Sequence, residues 1–182
     1  MSTIKPPDPA KLVISLLMNS RSVFDEVVPF LEAEFGTLDM VAPWFDFNYT
    51  DYYFREMGSP LFRRLITFKG LIAQDDLVRI KLAANILEKK WERGGRRSLN
   101  IDPGYLLLSR FILATGKDYS HRIYLGSGIY GDLTLIYKKG RFHTLEWTYP
   151  DYGSKDIQDI LLKIREDYAL ELKFNKNGWT QN

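Results

Sequence analysis

The stretch GKDYSHRIYLGSGIYGDLTLIYKKGRFHTLEWTYPDY, residues 116–152, shows the clearest strand pattern in the chain. It contains three segments that are rich in β-branched and aromatic residues and are separated by short glycine-containing breaks: 121–125, 132–137 and 142–147. Gly140, in the second break, tolerates the positive φ that a tight hairpin requires. The stretch predicts an antiparallel meander. Because side chains alternate along a strand, Leu133, Leu135 and Tyr137 should share one face of its middle strand.

The first break of this stretch, GSGIYG at residues 126–131, matches the letters of a dinucleotide-binding fingerprint. In such a site the glycines follow a strand and open a helix, whose N-terminus holds the pyrophosphate. Here the glycines precede DLTLIY, which alternates like a strand and has no helical stripe. The segment is therefore interpreted as a glycine-rich turn.

Strand and helix patterns alternate before residue 116. They predict strands at 11–18, 37–49 and 61–68, a helix between Ser22 and Gly36, and a helix from Gln74 or Asp75 to Arg93. Pro29 indicates that the first helix either kinks there or begins close to it, because proline is tolerated only in the first turn. Asp102-Pro103-Gly104 is interpreted as a turn, and residues 105–115 fit either a buried strand or a short helix.

After the meander, Ser154 caps a last helix, and Leu170, Leu172 and Phe174 alternate like a final edge strand. The complete order of elements is strand, helix, strand, strand, helix, strand, meander and helix. This order predicts an α+β fold with an antiparallel or mixed sheet and helices packed on one face. The first six elements have the order of a ferredoxin-like unit, which the C-terminal β-meander would extend.

The bulk composition fits one globular domain over residues 11–175, between flexible tails at 1–10 and 176–182. The 182 residues carry a formal net charge of +2, which is too small to imply a polyanionic partner by itself. The absence of cysteine excludes disulfides, thiolate catalysis and cysteine-ligated metals. No apolar run is long enough for a membrane span, and the N-terminus lacks a signal-peptide core. We therefore expect a cytoplasmic protein without a membrane partner.

Candidate catalytic groups are concentrated where the meander begins. Lys117, Asp118, His121 and Arg122 fall within six residues. His121 is the leading candidate for proton transfer, because histidine titrates near neutrality and a nearby carboxylate such as Asp118 can orient its ring. Lys117 and Arg122 would hold a phosphate or a carboxylate. The alternative is a polar loop in which Arg122 makes a structural ion pair.

Three carboxylates are candidate metal ligands, because magnesium prefers oxygen ligands and retains part of its water shell. Asp51, Glu56 and Asp102 lie in aromatic or glycine-containing contexts, and they would bind Mg²⁺ if the fold brought them together. No local ligand spacing joins them, so the site would depend on folding. The alternative for Asp102 is the first position of the Asp-Pro-Gly turn.

Two tyrosines and one helix face are candidate ligand-binding elements. Tyr52 lies in a loop, and Tyr149 belongs to WTYPDY at the exit of the meander. Aromatic rings in this position would either line a pocket or pack as a hydrophobic plug. Lys81, Asn85 and Glu88 form a polar row along the second predicted helix, close enough to its apolar stripe to line a cleft. In that cleft Lys81 would bind an anion.

A basic run that includes Trp91 follows the same helix: Lys89, Lys90, Arg93, Arg96 and Arg97. The run resembles a nucleic-acid footprint, yet basic residues are also favoured in the last turn of a helix, where they complement the dipole. Several familiar activities are excluded by missing motifs. The chain has no GxxxxGK[ST] phosphate loop, no GxSxG elbow, no kinase motif set and no zinc-type histidine pair.

Four strings in the chain are distinctive: DYYFREMG at 51–58, NIDPGYL at 100–106, KDYSHRIYLGSGIY at 117–130 and WTYPDY at 147–152. On these strings the chain resembles a prokaryotic family, domain-of-unknown-function family 4416, over nearly the whole length between the tails. The resemblance implies no established activity. Members are often labelled GTP-binding proteins, but the phosphate loop and an NKxD base-reading motif are missing here, so the sequence does not support a GTPase.

We therefore expect a small enzyme or binding protein for an anionic small molecule, such as a nucleotide or another phosphate ester. A second hypothesis is an RNA-binding or ribonucleoprotein-associated module that uses the basic run and Trp91. A third is a non-catalytic homodimer that covers its exposed edge strand. The first hypothesis requires Asp51, Asp102, His121 and Arg122 to meet in one cleft.

Overall fold

The structure of the chain, a computed structural model, describes residues 3–178, with the side chains of residues 3–174. Within that range the chain forms four helices: α1 at Ser22–Phe35, α2 at Phe54–Met57, α3 at Asp76–Glu88 and α4 at Lys155–Gly178. None of these helices is long and apolar enough to cross a membrane. The same range contains eleven strands: β1 at Lys11–Met18, β2 at Leu38–Val41, β3 at Phe45–Asp46, β4 at Phe62–Phe68, β5 at Glu92–Arg93, β6 at Arg96–Arg97, β7 at Leu99–Leu107, β8 at Arg110–Thr115, β9 at Arg122–Gly126, β10 at Ile129–Lys138 and β11 at Arg141–Thr144. The predicted α+β class is confirmed.

The nine-stranded sheet contains a ferredoxin-like unit. Its strands run in the order β11-β10-β8-β7-β1-β4-β2, with β3 also beside β4 and β9 also beside β10. Every pair is antiparallel. β4 lies between β1 and β2, and β1 lies between β4 and β7, so each of the units β1-α1-β2 and β4-α3-β7 is split by one strand. This is the predicted split arrangement, extended beyond β7 by β8 and the meander.

β1 lies at the centre of this unit and is buried on both faces. All eight of its residues are buried. Leu12, Ile14 and Leu16 pack with side chains of α1 and α3, whereas Val13 packs with the buried face of α4 on the other side. A strand that is apolar on both faces requires cover on both. The expectation that helices occupy one face is therefore correct for α1 and α3 and wrong for α4.

A β-bulge in β10 changes which of its side chains face the core. Leu133 pairs with Ile112 of β8, and Leu135 pairs with Phe111, so two steps along β10 correspond to one step along β8. Leu133 and Leu135 therefore point to opposite faces, and the prediction that they share a face is wrong. The bulge also places Asp132 on the same face as Leu135.

Residues 105–115 form the end of β7, a two-residue turn and β8, so neither a single strand nor a helix is correct. Asp102, Pro103 and Gly104 belong to β7 and do not form the predicted turn. A Cβ on Gly104 would lie 2.5 Å from the carbonyl oxygen of Ile112, so the glycine permits close pairing with β8. Pairing with β8 begins at Gly104, which leaves Pro103 with a strand neighbour on the β1 side only. Proline is tolerated at such edge positions.

Three predicted elements in the first half of the chain have different bounds. α1 runs continuously through Pro29, so the helix does not begin at the proline. The segment 37–49 forms two short strands, β2 and β3, on either side of Pro43. α3 ends at Glu88, and Gly94-Gly95 form the turn of the β5–β6 hairpin instead of stopping a longer helix.

α4 includes residues 170–174, which were predicted as an edge strand, because Leu172 adds to the buried stripe of the helix. Residues 170–174 therefore supply no edge strand for the homodimer hypothesis, and the order of the sheet ends in β11 and β2 instead. α4 extends to Gly178, within the segment predicted as a C-terminal tail. In the segment predicted as an N-terminal tail, the Pro9 carbonyl accepts a 2.7 Å hydrogen bond from the Tyr168 hydroxyl. Residues 1, 2 and 179–182 of the predicted tails lie outside the described residues.

Candidate functional site

A cleft of about 830 Å³ opens where β7 and β8 separate. β8 pairs with β7 only over residues 104–107 of β7, and it then follows β10. Asn100, Ile101 and Asp102 therefore have β1 on one side and no described strand on the other. α3 bounds the cleft on this open side, and three loop segments complete its walls: 47–53, 115–117 and 149–152.

Side chains of α3 occupy the hydrogen-bonding positions that a neighbouring strand would fill. Lys81 Nζ donates to the carbonyl oxygen of Ile101 at 2.9 Å, and the backbone N–H of Ile101 donates to Glu88 Oε1 at 2.7 Å. A buried backbone group without a partner is unfavourable, so these two side chains stabilise the open edge of β7. Asn85 lies between them on the helix and also lines the cleft, as the helical spacing of the polar row predicted.

An ion-pair network runs along this wall. Lys81 Nζ lies 3.4 Å from Asp102 Oδ1, and Asn100 Nδ2 donates to Asp102 Oδ2 at 2.6 Å. Arg97 Nη1 donates to Asn100 Oδ1 at 2.8 Å, and Arg97 Nη2 lies 2.8 Å from Glu56 Oε2. The network gives both carboxylates charged or amide partners and fixes the side chains that line the cleft.

The three carboxylates predicted as metal ligands do not form one site. Asp102 and Glu56 pair with Lys81 and Arg97, at different points of the network, and Asp51 is exposed and outside the cleft lining. Within the described residues, no group of three His, Cys, Asp or Glu side chains is arranged to hold a metal ion. The fold uses Asp102 and Glu56 to neutralise cations.

Glu88 is a wall carboxylate with a shifted protonation equilibrium. Burial raises the pKa of Glu88 above its ordinary value, and the neighbouring Asp102 acts in the same direction. Lys81, the N–H of Ile101 and Arg97 oppose this shift, because they stabilise the ionised form. The net effect is upward, so Glu88 retains its proton to a higher pH than an exposed glutamate does.

Arg63 of β4 forms the floor of the cleft with Asp151, and both side chains are buried. Arg63 Nη1 lies 2.7 Å from Asp151 Oδ2 and donates to Ser15 Oγ at 3.1 Å. The guanidinium carbon lies 4.8 Å from the ring centroid of Phe47 and 5.3 Å from that of Tyr152. The cation is therefore enclosed by one carboxylate, one hydroxyl and two aromatic rings.

Arg63 is a cleft residue that no sequence motif identified. Alternation along β4 places Arg63 on the same face as Leu65 and Thr67, which are both buried. Arginine is almost never buried unless it is paired. A charged residue at a core-facing strand position was therefore the signal in the sequence that could have found this site.

His121 and Asp118 do not form the predicted pair. The carboxylate beside His121 is that of Asp132, whose Oδ2 lies 3.2 Å from Nε2, and the imidazole stacks on Trp147 at 4.7 Å between ring centroids. Asp118 is exposed, and neither His121 nor Asp118 lines the cleft. The contact with Asp132 arises because the β9–β10 pairing places Arg122 and Asp132 opposite each other, which spacing along the sequence does not reveal.

Arg122 makes the structural ion pair that was the alternative to anion binding. Its Nε donates to Asp132 Oδ2 at 2.9 Å, its Nη1 to the Lys117 carbonyl at 3.0 Å and its Nη2 to the Tyr149 hydroxyl at 3.0 Å. The nearby cation, Lys117, donates from Nζ to the Tyr52 hydroxyl at 2.8 Å. Two cations therefore hold the two predicted ligand-binding tyrosines, and all four of these residues line the cleft.

The basic run after α3 is divided between the surface and the cleft. Trp91 packs edge-on against Phe30, with 5.5 Å between ring centroids, and its Nε1 donates to Glu26 Oε2 at 3.4 Å. Arg97 belongs to the ion-pair network of the cleft. The remaining basic side chains of the run are exposed: Lys89, Lys90, Arg93 and Arg96. Trp91 and Arg97, which the RNA hypothesis used, already have protein partners.

Comparison with known proteins identifies the family. The model of one family, described as a domain of unknown function (DUF4416), matches residues 8–168. No curated protein and no solved structure matches the chain. The matched region includes every residue that lines the cleft, and the match agrees with the resemblance carried by the four sequence strings. The chain therefore belongs to the DUF4416 family of domains of unknown function.

Proposed function

We propose that the cleft binds a small molecule that carries an oxyanion, such as a phosphate ester or a nucleotide. Support comes from buried side-chain atoms that lack a hydrogen bond. Within the described residues these atoms are Arg63 Nε, Arg97 Nε, the Tyr152 hydroxyl and Asp151 Oδ2. All four residues line the cleft. Buried polar groups are nearly always satisfied, so four such atoms at one cavity support a ligand whose binding moves these side chains and supplies the missing partners.

The unsatisfied atoms favour a ligand that accepts hydrogen bonds. The two arginine Nε atoms are donors only, and the Tyr152 hydroxyl can donate as well. Asp151 Oδ2, the one pure acceptor of the set, lies 2.7 Å from Arg63 Nη1 without the alignment of a hydrogen bond, so its charge is already compensated. Phosphate and carboxylate oxygens are the acceptors that guanidinium groups bind most strongly.

The charges around the cleft also favour a negatively charged ligand. Its lining contains five cationic side chains and four carboxylates, and Glu56, outside the lining, also pairs with Arg97. Four of the cations have a carboxylate partner in the lining: Arg63 with Asp151, Lys81 with Asp102, Arg97 with Glu88 and Arg122 with Asp132. Lys117 has no carboxylate partner among the described residues, and its ammonium contacts the neutral Tyr52. The local positive charge at this lysine is not compensated by a carboxylate, and it attracts an anion.

The same cleft offers a group for proton transfer, which supports an enzyme as well as a binding protein. Glu88 lines the cleft from α3, and burial raises the pKa of its carboxyl above the ordinary value. A carboxyl group with a raised pKa holds its proton to a higher pH and, once ionised, accepts a proton more readily than an ordinary glutamate does. His121 does not line the cleft, so Glu88 takes its place in the proposal as the proton carrier.

A thermal-shift screen tests this proposal. The ligands are inorganic phosphate, sugar phosphates and nucleotides, each with Mg²⁺ and with EDTA. A ligand that binds only the folded protein raises the midpoint of unfolding, by an amount that grows with the ratio of its concentration to Kd. We expect stabilisation by phosphate compounds. Inorganic phosphate should stabilise the protein equally with Mg²⁺ and with EDTA, because the carboxylates of the cleft are already paired with cations.

Lys117→Ala serves as the site variant and Lys163→Ala as its matched control. Lys163 is an exposed lysine of α4 that pairs with Asp167 at 2.8 Å and does not line the cleft. Lys117→Ala should reduce the shift that phosphate produces, whereas Lys163→Ala should leave it unchanged. No stabilisation by any phosphate compound, or equal losses in the two variants, would contradict the proposal.

A further inference from the structure

We infer that the mouth of the cleft contains a second subsite, formed by Tyr149 and Tyr52, for a planar ring that is joined to the oxyanion. The inference rests on the proposed function, because it describes the other part of the same ligand. It assigns this ligand to the nucleotide class, in which a flat nitrogen heterocycle is linked through a sugar to phosphate.

Both tyrosine rings are accessible and held in place. Tyr149 is 47% exposed and Tyr52 is 56% exposed. The Tyr149 hydroxyl accepts a hydrogen bond from Arg122 Nη2 at 3.0 Å, and the Tyr52 hydroxyl accepts one from Lys117 Nζ at 2.8 Å. A ring that is fixed at its far end loses little conformational entropy when a ligand stacks on it. The two rings are therefore preorganised surfaces for a flat ligand.

Tyr149 is the more open platform of the two. Within residues 3–174 it makes no ring–ring contact, whereas Tyr52 packs edge-on against Tyr53 with 5.1 Å between centroids. The hydrophobic plug that was the alternative for this segment is formed by Tyr152. That residue is 2% exposed and lies 5.8 Å from Phe111 between centroids. Because Tyr152 fills the core, Tyr149 is left free for a ligand.

The ring subsite lies beside Lys117, the cleft cation that has no carboxylate partner among the described residues. Arg122 Nη1 donates to the Lys117 carbonyl at 3.0 Å, so contacts through these two residues link Tyr149 to Tyr52. An ammonium group next to exposed aromatic rings suits a ligand in which negative charge and a flat ring are close together. The cleft volume of about 830 Å³ lies within the roughly 300–1,000 Å³ of small-molecule sites, which is large enough for a ligand with two parts.

A third group favours a heterocycle over a plain aromatic acid. Asn85 lines the cleft from α3 and is partly buried, and its side chain forms no hydrogen bond with any described residue. Its amide offers a donor and an acceptor side by side. That arrangement pairs with the hydrogen-bonding edge of a nucleobase. A ring without such an edge would leave this side chain unpaired.

Calorimetric titration of the full chain tests the inference. The ligands form a series in which the ring is added to a constant phosphate: inorganic phosphate, ribose 5-phosphate and the four common nucleoside monophosphates. At least one monophosphate should bind more tightly than ribose 5-phosphate. Tyr149→Leu should weaken the binding of that nucleotide by roughly 5- to 150-fold, the range for loss of one stacking ring, and should change ribose 5-phosphate affinity by less than about twofold.

Two control variants separate the contribution of the aromatic ring to nucleotide affinity from other effects of the substitution. Tyr149→Phe keeps the ring and should retain most of the nucleotide affinity. Tyr124→Leu removes an exposed tyrosine outside the cleft and should affect neither ligand. If Tyr149→Leu does not fold, Tyr52→Leu provides the same comparison.

The outcomes distinguish this inference from the proposed function. Equal affinity for ribose 5-phosphate and every monophosphate would overturn the ring subsite and leave the oxyanion site intact. If Tyr149→Leu weakened the binding of the nucleotide and of ribose 5-phosphate by the same factor, the ring subsite would also be overturned. Failure of every phosphate compound to bind would overturn both.

Discussion

One face of the sheet is apolar beneath α4 and polar beneath the cleft. The change takes place within a few residues of each strand: Val13 to Ser15 in β1, Leu65 to Arg63 in β4, Leu106 to Asp102 in β7, and Leu135 to Asp132 in β10. The apolar half buries its side chains against α4, which stabilises the fold. The polar half carries ion pairs instead. A single sheet face therefore carries an apolar core at one end and ion pairs at the other.

The two halves also differ in how completely their polar groups are satisfied. Of the side chains that the structure describes, the four with a buried atom lacking a hydrogen bond all line the cleft: Arg63, Arg97, Asp151 and Tyr152. Unsatisfied buried groups reduce the free energy of unfolding, and such a loss is common where a site is shaped for a ligand. If the polar half serves binding and the apolar half serves stability, substitutions in the two halves should have different effects.

The largest expected effect is in the polar half. Arg63→Met leaves Asp151 buried without its cation, and breaking a buried ion pair in this way lowers the free energy of unfolding by about 3–5 kcal/mol. Arg63→Met/Asp151→Asn should recover most of that loss, because no buried charge remains. Urea denaturation of the single and double variants measures both values. A double variant as unstable as the single one would indicate that the pair exists to stabilise the fold.

Leu161→Ala gives the corresponding measurement in the apolar half. Leu161 is fully buried in α4, and its truncation should lower the free energy of unfolding by about 2–5 kcal/mol. Phosphate affinity of the folded variant should stay within about twofold, since distant sites act nearly independently. Arg63→Met/Asp151→Asn should show the opposite pattern, with weaker phosphate binding. A large affinity loss in Leu161→Ala would indicate that the two halves are coupled.

A smaller effect on stability is expected when a change of pH alters the protonation of Glu88. Because burial raises the pKa of Glu88 in the folded state, the folded protein holds this proton more tightly than the unfolded chain does. The resulting stabilisation is fully present below the ordinary carboxyl pKa and is lost as the pH rises through the raised value. The stability of the wild type relative to Glu88→Gln should therefore fall across this window. Thermal unfolding of both proteins at a series of pH values measures the difference, which would stay constant if Glu88 had an ordinary pKa.

Local patterns in the sequence predicted much of the fold and one wall of the site. The apolar run at residues 11–18 predicted the strand β1, and the order of elements predicted the ferredoxin-like unit. The spacing of Lys81, Asn85 and Glu88 predicted a helix face that lines a cleft. These features depend on residues that are close together in the chain, where periodicity is informative.

The features that could not be predicted depend on contacts between distant segments. Asp132 lies beside His121 only because the pairing of β9 with β10 brings it there, so Asp118 was the wrong partner. Asp-Pro-Gly at residues 102–104 has the letters of a turn, but close approach to Ile112 decides that it is a strand. Spacing along the chain carries no information about either contact.

The central claim is that unsatisfied donors in the polar half bind an oxyanion. Two-dimensional NMR of the arginine Nε–Hε groups tests it most directly, because Arg63 and Arg97 have unsatisfied Nε atoms in the cleft. During titration with inorganic phosphate, we predict saturable shifts of these two resonances with one shared Kd, and none for the exposed Arg79, which pairs with Glu34. Unchanged Arg63 and Arg97 resonances, or shifts that grow with exposure across all arginines, would contradict the claim.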